Sequence, residues 1–411
     1  MNTLYQLGIS LYRIMAGLLA PFNTKAALFH RGQKEVFNYL GGFFPGSNKV
    51  IWVHCASLGE FEQGRPLIEL MRKQHPEYKV LLTFFSPSGY EVRKNYEQAD
   101  YICYLPVDTK ANVKRFLDLV KPEMAFFVKY EFWKNYFEEL SDRSVPVYLV
   151  SAIFRPSQLF FKKGLRANWY RKVLQSVTHF FVQNKQSGDL LGQFGFSNYT
   201  ITGDTRFDRV AEIAGSRKEL PLVEQFKGDA RLLVVGSSWQ PDEELLVEYM
   251  TGNKQVKVVF APHEVKDSNI KRLMNLIPGG AIRYTQAEGA DLEKSRVLIV
   301  DCMGVLSSVY RYADVAYIGG GFGVGIHNTL EAAIYNIPVL FGPNYLRFQE
   351  AVELVNRGLA FPVDRPEVVR LKLEELMSQP ELLSKIADGC RRFMEENLGA
   401  TQQIMQKVFN N

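Results

Sequence analysis

The chain has few cysteines and no recurring long apolar runs, and each shortage excludes a class of protein. Its cysteines are dispersed without a Cys-x-x-Cys pair: Cys55, Cys103, Cys302 and Cys390. This argues against a disulfide scaffold or a zinc site and favours a reducing compartment. Apolar runs of about 20 residues do not recur and mean hydropathy is −0.13, so a polytopic membrane protein is excluded. A net charge of +5 is compatible with anionic lipids or phosphorylated ligands and is too small to indicate nucleic acid.

A mostly apolar segment lies near the N-terminus, between Leu4 and Pro21. Arg13 interrupts it and no basic residue precedes it, so it fits neither a spanning helix nor a cleaved signal peptide. Basic residues follow it: Lys25, His30, Arg31 and Lys34. We expect a helix lying in, or shallowly anchored to, a membrane surface, with these cations meeting anionic headgroups. The alternative is an amphipathic helix packed on the protein's own core.

After about Asn48, short apolar runs alternate with helical stretches, which is typical of doubly wound α/β domains. The runs of the first series are Val50–His54, Val80–Phe85, Tyr101–Leu105, Met124–Val128, Val145–Val150 and Phe180–Gln183. Those of the second series are Leu232–Val235, Val256–Phe260, Val297–Val300, Val315–Ile318 and Val339–Phe341. A chain of 411 residues suits two domains, so we predict two Rossmann-like halves joined near residues 204–220.

Ligands of such sheets bind where strands end, and the strand exits of the first half carry candidate residues. The strand ending at His54 leads to Ser57, a predicted N-cap, then to Gly59, which lets a ligand approach the backbone, and to Glu60. Glu60 is a candidate general base; the alternative is a first-turn carboxylate favoured by the helix dipole. Glu131 beside Trp133 suits sugar binding, or else begins a helix next to a core tryptophan.

The exits of the second half suggest anion binding. Arg206, at the join, is predicted to reach an interdomain cleft and pair with an anion. Ser237 and Ser238 precede a helix with Pro241 at its first position, and His263 follows the next strand.

The strongest pattern is a glycine-rich segment, with five glycines within residues 319–325. It is neither a G-x-G-x-x-G motif nor a Walker A motif. Asn328 or Thr329 is predicted to cap a following helix, so the segment resembles a phosphate cradle to which His327 adds a donor. Glu331 is placed to bind ribose hydroxyls. A purely structural turn is the alternative, although so many glycines are entropically costly without a ligand.

Two Rossmann-like halves facing a cleft, with a phosphate cradle in the second, form the layout of GT-B glycosyltransferases. The chain resembles the 3-deoxy-D-manno-octulosonic acid (Kdo) transferases, which move Kdo from CMP-Kdo to a lipid A precursor. The matching stretches are residues 52–60 (WVHCASLGE), 121–135 (KPEMAFFVKYEFWKN), 203–208 (GDTRFD), 236–244 (GSSWQPDEE), 325–333 (GIHNTLEAA) and 341–344 (FGPN).

The resemblance implies a metal-independent and cofactor-free inverting transfer, at the cytoplasmic face of the inner membrane, to an acceptor of lipid IVA type. It implies Glu60 as base and Ser57, Gly59 and Glu131 as acceptor-binding residues. The implied donor-binding residues are Arg206, Ser237, Ser238, His263, Gly325, His327, Asn328, Thr329 and Glu331. We expect a membrane-associated segment (1–35), an acceptor domain (36–205) and a donor domain (206–385). A C-terminal helix (386–411) is expected to follow, and it either crosses back to the acceptor domain or closes the donor domain.

The chain departs from the family pattern around the donor. Arg206 ends a Gly-Asp-Thr-Arg stretch where Gly-Asn-Leu-Lys is usual, Trp239 replaces a usual histidine, and the usual arginine before His263 is absent. The loop Phe322–Gly325 is also longer. We expect Arg206 to supply the missing cation. Two other functions stay open: another nucleotide-sugar GT-B enzyme, such as a UDP-GlcNAc-dependent one, or a non-catalytic nucleotide-binding envelope protein.

Overall fold

The computed structural model describes residues 2–43, 49–216, 219–252 and 256–410. The chain forms two compact units: Met1–Arg209 with Leu398–Asn411, and Val210–Asn397. Each contains one parallel seven-stranded sheet with helices between successive strands, so the prediction of two Rossmann-like α/β halves is confirmed. Residues 217 and 218 of the predicted join lie outside the described residues.

The first unit begins with two helices and continues in βα alternation. Its helices are α1 (Asn2–Leu19), α2 (Thr24–Phe43), α3 (Leu58–Gln74), α4 (Pro87–Arg93), α5 (Lys110–Val120), α6 (Lys134–Asp142), α7 (Leu165–Leu174), α8 (Lys185–Gln193) and the start of α9 (Arg206–Gly215). Its strands are β1 (Val50–Cys55), β2 (Lys79–Phe84), β3 (Tyr101–Tyr104), β4 (Met124–Val128), β5 (Val147–Ala152), β6 (His179–Val182) and β7 (Tyr199–Ile201). No helix of the described residues combines the length and apolarity needed to cross a bilayer.

The strand order of the first sheet is β3-β2-β1-β4-β5-β6-β7. Trp52 of β1 and Phe127 of β4 are fully buried on one face, and Val53 and Phe126 are fully buried on the other. Burial on both faces explains why these strands are continuous apolar runs. The order reverses between β1 and β4, which pair in parallel, so their carboxyl ends form the switch point where such sheets bind ligands.

The second unit repeats this design. Its helices are the remainder of α9, α10 (Pro221–Lys227), α11 (Gln240–Gly252), α12 (Asp267–Leu276), α13 (Leu306–Val309), α14 (Leu330–Ala333), α15 (Gln349–Asn356), α16 (Pro366–Ser378) and α17 (Pro380–Asn397). Its strands are β8 (Arg231–Ser238), β9 (Val256–Pro262), β10 (Ile282–Arg283), β11 (Val297–Ile299), β12 (Val315–Ile318), β13 (Val339–Phe341) and β14 (Ala360–Pro362). The order β10-β11-β9-β8-β12-β13-β14 puts the switch point between β8 and β12.

The last helix, α18 (Ala400–Phe409), belongs to the first unit. Ile404 and Met405 are buried in the core of that unit. Asp208 of α9 accepts hydrogen bonds from the backbone N–H groups of Gly399 (2.6 Å) and Thr401 (2.7 Å). A carboxylate at a helix N-terminus satisfies free donors there, so Asp208 fixes the start of α18.

Two helices differ from the predicted boundaries in ways that matter for the sites. The stretch Glu131–Leu140 is predicted helical, but α6 begins at Lys134, because Lys129 takes a left-handed conformation (φ 65°) and the chain leaves β4 in a loop. The predicted helix Thr329–Tyr335 is reduced to the four residues of α14. It is followed by Asn336 at φ 61° and by Pro338, whose ring disfavours helix just before it.

Candidate functional site

Glu60 lies in the first turn of α3, directly beyond the carboxyl end of β1. Its side chain is buried, with 7% relative exposure, and the Ser57 hydroxyl donates a hydrogen bond to its Oε2 atom (2.7 Å). Ser57 occupies the predicted N-cap position, but its hydroxyl makes no capping bond to a backbone N–H. A Cβ atom at position 59, in place of the Gly59 hydrogen, would meet only Ser57 Oγ, at 4.0 Å, so the space beside the carboxylate is open.

Glu131 lies beyond the neighbouring strand β4, in the loop that precedes α6. Burial and, to a lesser extent, the negative charge of Glu60 raise its pKa to about 7. The two carboxylates are therefore close enough to interact electrostatically. Because β1 and β4 are adjacent in the sheet, the switch point of the first unit brings Glu60 and Glu131 together.

An aromatic hydrogen-bond network lies next to Glu60 and Glu131. Trp133 Nε1 donates to His54 Nε2 (3.3 Å), and His54 Nδ1 contacts Thr83 Oγ1 (2.9 Å). His54 is fully buried, and this burial lowers its pKa to about 3, so the imidazole is neutral at pH 7. The Trp133 ring also packs against Phe85, with centroids 4.5 Å apart. Trp133 is thus held rigidly beside the carboxylates.

The arrangement in the first unit suits acid–base chemistry on a hydroxyl. A carboxyl group with a pKa near 7 is partly protonated at neutral pH and can donate a hydrogen bond, while its ionised neighbour can accept a proton.

Tyr130, which the sequence reasoning did not single out, adds a half-exposed ring (39%) next to Glu131. Its place directly after β4 is the signal that would have identified it.

Arg206 lies in the first unit and is already paired there. Its Nε and Nη2 atoms donate to Asp204 Oδ2 at 3.0 and 2.7 Å, and Gln63 donates to the same oxygen at 2.9 Å. Burial alone would raise the pKa of Asp204, but the Arg206 guanidinium outweighs it and the pKa is lowered. In this structure the Arg206 guanidinium pairs with the Asp204 carboxylate of its own unit. A contact between Arg206 and a phosphate of the donor stays a prediction.

The predicted donor-side residues of the second unit gather at the ends of β8 and β12. Asp242, in the first turn of α11, accepts hydrogen bonds from the N–H groups of Trp239 and Gly320, each at 2.9 Å. The Tyr317 hydroxyl donates to its other oxygen at 2.9 Å. Asp242 thereby joins the start of α11 to the glycine-rich segment. It was missed as a site residue, although an Asp just after Pro241 is a common helix-start signal.

Three rings stack at this edge of the second sheet. The centroids of Trp239 and His263 are 4.7 Å apart, those of His263 and His327 are 4.3 Å apart, and Trp239 Nε1 donates to His327 Nε2 (3.1 Å). Burial and the neighbouring His263 lower the pKa of His327 to about 4. The neutral His327 ring that accepts at Nε2 carries its proton on Nδ1, so Nδ1 is its available donor.

A cavity of about 340 Å³ lies in front of Trp239. The residues that line it are mostly apolar: Trp239, Pro241, Asp242, Gly320, Phe322, Gly323 and Val324. Val324 is 87% exposed at the rim. A concave apolar surface with an aromatic wall and a few polar groups is typical of a small-molecule site.

The glycines of residues 319–325 are required by the fold itself. A side chain at Gly319 would overlap the backbone of Ser237, and one at Gly321 would overlap the backbone of Gly342. Gly320 and Gly325 have φ of 92° and 135°, which other residues rarely adopt. Close backbone packing and positive φ account for four of the five glycines, in line with the alternative of a structural turn, and the phosphate cradle stays a prediction.

The residues after the glycines are held by local bonds. Asn328 Oδ1 accepts from the N–H of Leu330, and Asn328 Nδ2 donates to Glu331 Oε1, both at 3.2 Å. Thr329 occupies the N-cap position without a capping bond, and Asn328 supplies the side-chain acceptor; the four-residue α14 is too short to supply a strong helix dipole. Thr329 is fully buried and its Oγ1 has no hydrogen-bond partner among the described residues.

Ser237 and Ser238 are the last two residues of β8, and Ser238 is buried. The Ser238 hydroxyl donates to Glu243 Oε1 (2.9 Å), and Ser238 is 2% exposed. Ser237 adopts a left-handed conformation (φ 52°), which turns the chain from β8 toward α11. Within the described part of the chain, no three His, Cys, Asp or Glu residues are grouped to hold a metal ion.

Helix α1 exposes an apolar face. None of its residues is buried, and the exposed large apolar side chains recur along it: Leu4, Leu7, Leu11, Ile14, Met15, Leu18 and Leu19, at 46–69% relative exposure. The opposite face is docked on the first unit, where Ile9 and Ala16 pack against a buried cluster and polar side chains form hydrogen bonds. Tyr5 donates to Asp108 Oδ2 (2.5 Å) and Gln6 Nε2 donates to Asn135 Oδ1 (2.7 Å). The helix is thus anchored to the first unit with its apolar face exposed.

Solved structures define the class of fold. A UDP-GlcNAc 2-epimerase from Neisseria meningitidis is 17% identical and superposes with a TM-score of 0.60, covering 88% of this chain and 100% of that chain. MurG from Acinetobacter baumannii is 13% identical with a TM-score of 0.57, covering 89% and 100%. The chain therefore has the GT-B fold.

Sequence comparisons show which family the chain resembles. Residues 31–209 match the family described as "3-Deoxy-D-manno-octulosonic-acid transferase (kdotransferase)". A 3-deoxy-D-manno-octulosonic acid transferase of Haemophilus influenzae is 21% identical over 95% of this chain and 92% of its own length. Its counterpart from Aquifex aeolicus is 27% identical over 83% and 91%. The chain is thus similar to Kdo transferases, which are glycosyltransferases, over most of its length.

Proposed function

We propose that this enzyme transfers Kdo from CMP-Kdo to a hydroxyl of a lipid A precursor of lipid IVA type, with inversion at the anomeric carbon. The observation that carries the proposal is the carboxylate pair Glu60 and Glu131 at the switch point of the first unit, in a chain whose curated relatives bear the name of this transferase. Lipid A precursors are anchors of lipopolysaccharide, so the reaction belongs to its biosynthesis.

Glu60 acts as the general base. The acceptor oxygen attacks the anomeric carbon of Kdo on the side opposite CMP, the bond from that carbon to the phosphate oxygen breaks, and CMP leaves with the electron pair. Glu60 takes the hydroxyl proton, and Ser57 fixes one carboxylate oxygen by its 2.7 Å hydrogen bond so that the other is free to accept. A positioned base of this kind contributes about 10²- to 10⁴-fold to a rate.

Glu131 binds the acceptor in its protonated form. Because its pKa is about 7, a substantial fraction of the enzyme carries a neutral carboxyl beside Glu60 at neutral pH. The neutral carboxyl donates a hydrogen bond to the sugar, and it spares Glu60 from repulsion by a second full charge. Tyr130 and Trp133 offer the aromatic surface against which a sugar ring packs.

The second unit binds the donor nucleotide. The cavity beside Trp239 supplies an aromatic wall, and Nδ1 of His327 supplies a hydrogen-bond donor. CMP-Kdo has one phosphate, so its charge needs less compensation than that of a diphosphate donor. The donor is bound without a metal ion in this proposal.

The enzyme works on the cytoplasmic face of the inner membrane, and α1 holds it there. The acceptor is acylated and stays in the bilayer, so an apolar helix face on the acceptor-binding unit brings the enzyme to its substrate. The exposed face of α1 supplies apolar area, and Lys25, Arg31 and Lys34 each add about 1 kcal/mol near an anionic surface.

Two assays test the function in sequence. Thermal shift with CMP, UDP and ADP identifies the donor nucleotide, because a ligand of the folded state raises the apparent melting temperature. Transfer is then measured by mass spectrometry of the lipid product, with CMP-Kdo generated in situ and tetraacylated lipid IVA as acceptor. We expect stabilisation by CMP and a Kdo-modified lipid. Stabilisation by UDP alone would favour a UDP-sugar enzyme, and stabilisation without any transfer would favour a non-catalytic binding protein.

A further inference from the structure

The donor side of the second unit has a shortage of positive charge. The segments that follow β8 and β12, residues 239–244 and 319–331, contain no lysine or arginine. The segment that follows β13, residues 342–350, contains one, Arg347. A nucleotide phosphate bound at this edge needs a counter-charge, and phosphate is a preferred partner of the planar guanidinium group.

Arg347 lies against the glycine-rich segment. A Cβ atom at position 325, in place of the Gly325 hydrogen, would overlap the Arg347 guanidinium and would come within 2.8 Å of the Phe348 ring. Arg347 packs over that ring, with its guanidinium carbon 5.1 Å from the ring centroid. Gly325 is therefore required both by its φ of 135° and by the arginine placed next to it.

The loop that carries Arg347 is tied to the same glycines. The N–H of Asn344 donates to the Gly321 carbonyl (3.0 Å), and Asn344 Nδ2 donates to the Gly323 carbonyl (2.9 Å). Gly321 and Gly342 are in backbone contact, which fixes the spacing of the two loops. Arg347 therefore lies against Gly325, the residue that follows Val324 in the lining of the cavity in front of Trp239.

The charge of Arg347 is not neutralised by a carboxylate among the described residues. Within the described residues it is exposed and forms no ion pair with a carboxylate. Cations elsewhere near the exits of this sheet are paired, as Lys266 is with Glu264 (3.0 Å) and Arg283 with Asp267 (3.0 Å). An arginine without a carboxylate partner, packed against a glycine-rich segment that lines a cavity, is suited to bind an anion.

We propose that Arg347 binds the phosphate of the donor nucleotide. This inference rests on the proposed function and deepens it, because it assigns the phosphate-binding cation to the loop after β13. Arg347 then takes the role for which the sequence suggested Arg206, whose guanidinium is held by Asp204 in the first unit.

The test is calorimetric binding of CMP and of cytidine, which lacks the phosphate, to the full chain. Arg347→Ala should weaken CMP binding by about 10- to 100-fold, the usual effect of losing a charged hydrogen bond, and leave cytidine binding unchanged. Arg347→Lys should recover part of the CMP affinity. Arg370→Ala is the matched control, since it removes an equal charge from the same unit where Arg370 pairs with Glu374 on α16 (3.0 Å).

Several results would overturn the assignment. One is CMP affinity in Arg347→Ala equal to that of wild type, and another is an equal loss for CMP and cytidine. A third is a raised KM for CMP-Kdo with unchanged CMP affinity, because the cation would then bind the Kdo carboxylate. A wild-type chain that prefers UDP would refute the proposed donor, and the same comparison of UDP with uridine would still decide the role of Arg347. A chain that binds none of these nucleotides would refute both.

Discussion

Replacing Glu131 with glutamine should stabilise the first unit at high pH and have little effect at low pH. The pKa of Glu131 is raised from 4.5 to about 7 in the folded protein, so the folded state binds this proton more tightly than the unfolded state. Its stabilising contribution is fully present below pH 4.5 and is lost as the pH rises through 7. One pKa unit corresponds to 1.36 kcal/mol, so ionisation of Glu131 costs at most about 3 kcal/mol at pH 8. Glutamine has nearly the same shape and no charge, and it avoids that cost.

The assay is urea denaturation followed by tryptophan fluorescence at pH 5 and pH 8. Trp52, Trp133 and Trp169 lie in the first unit, so the signal reports mainly on its unfolding. The advantage of Glu131→Gln over wild type should grow from about 1 kcal/mol at pH 5 to about 3 kcal/mol at pH 8. Glu97→Gln, at an exposed position of the same unit, is the control and should show no pH-dependent difference. An equal effect of Glu131→Gln at both pH values would refute the idea that burial and Glu60 keep this carboxyl protonated.

Two further predictions concern the membrane and the donor. The side chains of Leu7 and Leu11 are 66% and 57% exposed on α1. The double variant Leu7→Glu, Leu11→Glu should therefore release the protein from anionic vesicles without lowering its melting temperature. Unchanged co-sedimentation with vesicles would show that the α1 face does not bind lipid. Glu331→Ala should weaken CMP binding by about tenfold and 2′-deoxy-CMP binding less, as expected if this carboxylate accepts from the ribose. Equal CMP affinity in calorimetry would rule out the ribose contact.

Strand positions were predictable wherever strands are buried on both faces. Predicted runs Met124–Val128, Val315–Ile318 and Val339–Phe341 match β4, β12 and β13 end to end, because a central parallel strand is a continuous apolar run between polar turns. The edge strands β7, β10 and β14 were not predicted. They have only two or three residues each and are partly exposed, so they carry no distinct apolar pattern.

The individual residues of the candidate site could be predicted from the sequence, but the interactions between distant residues could not. Glu60 and Glu131 are identifiable from the sequence because each follows a strand, but the influence of one on the pKa of the other depends on the pairing of β1 with β4. The pairing of Arg206 with Asp204 and Gln63 was equally invisible, since Gln63 lies 141 residues from Asp204. Backbone contacts between loops explain the glycines, and such contacts leave no periodic signal.

The role of Glu60 is tested most directly by single-turnover transfer with Glu60→Gln. Enzyme in excess over CMP-Kdo and lipid acceptor is quenched over time, and CMP affinity is measured on the same protein. We predict a rate at least about 100-fold below wild type with CMP affinity unchanged, because glutamine keeps the size of the side chain and cannot take the proton. A rate for Glu60→Gln within a few-fold of wild type would contradict the assignment of Glu60 as the general base.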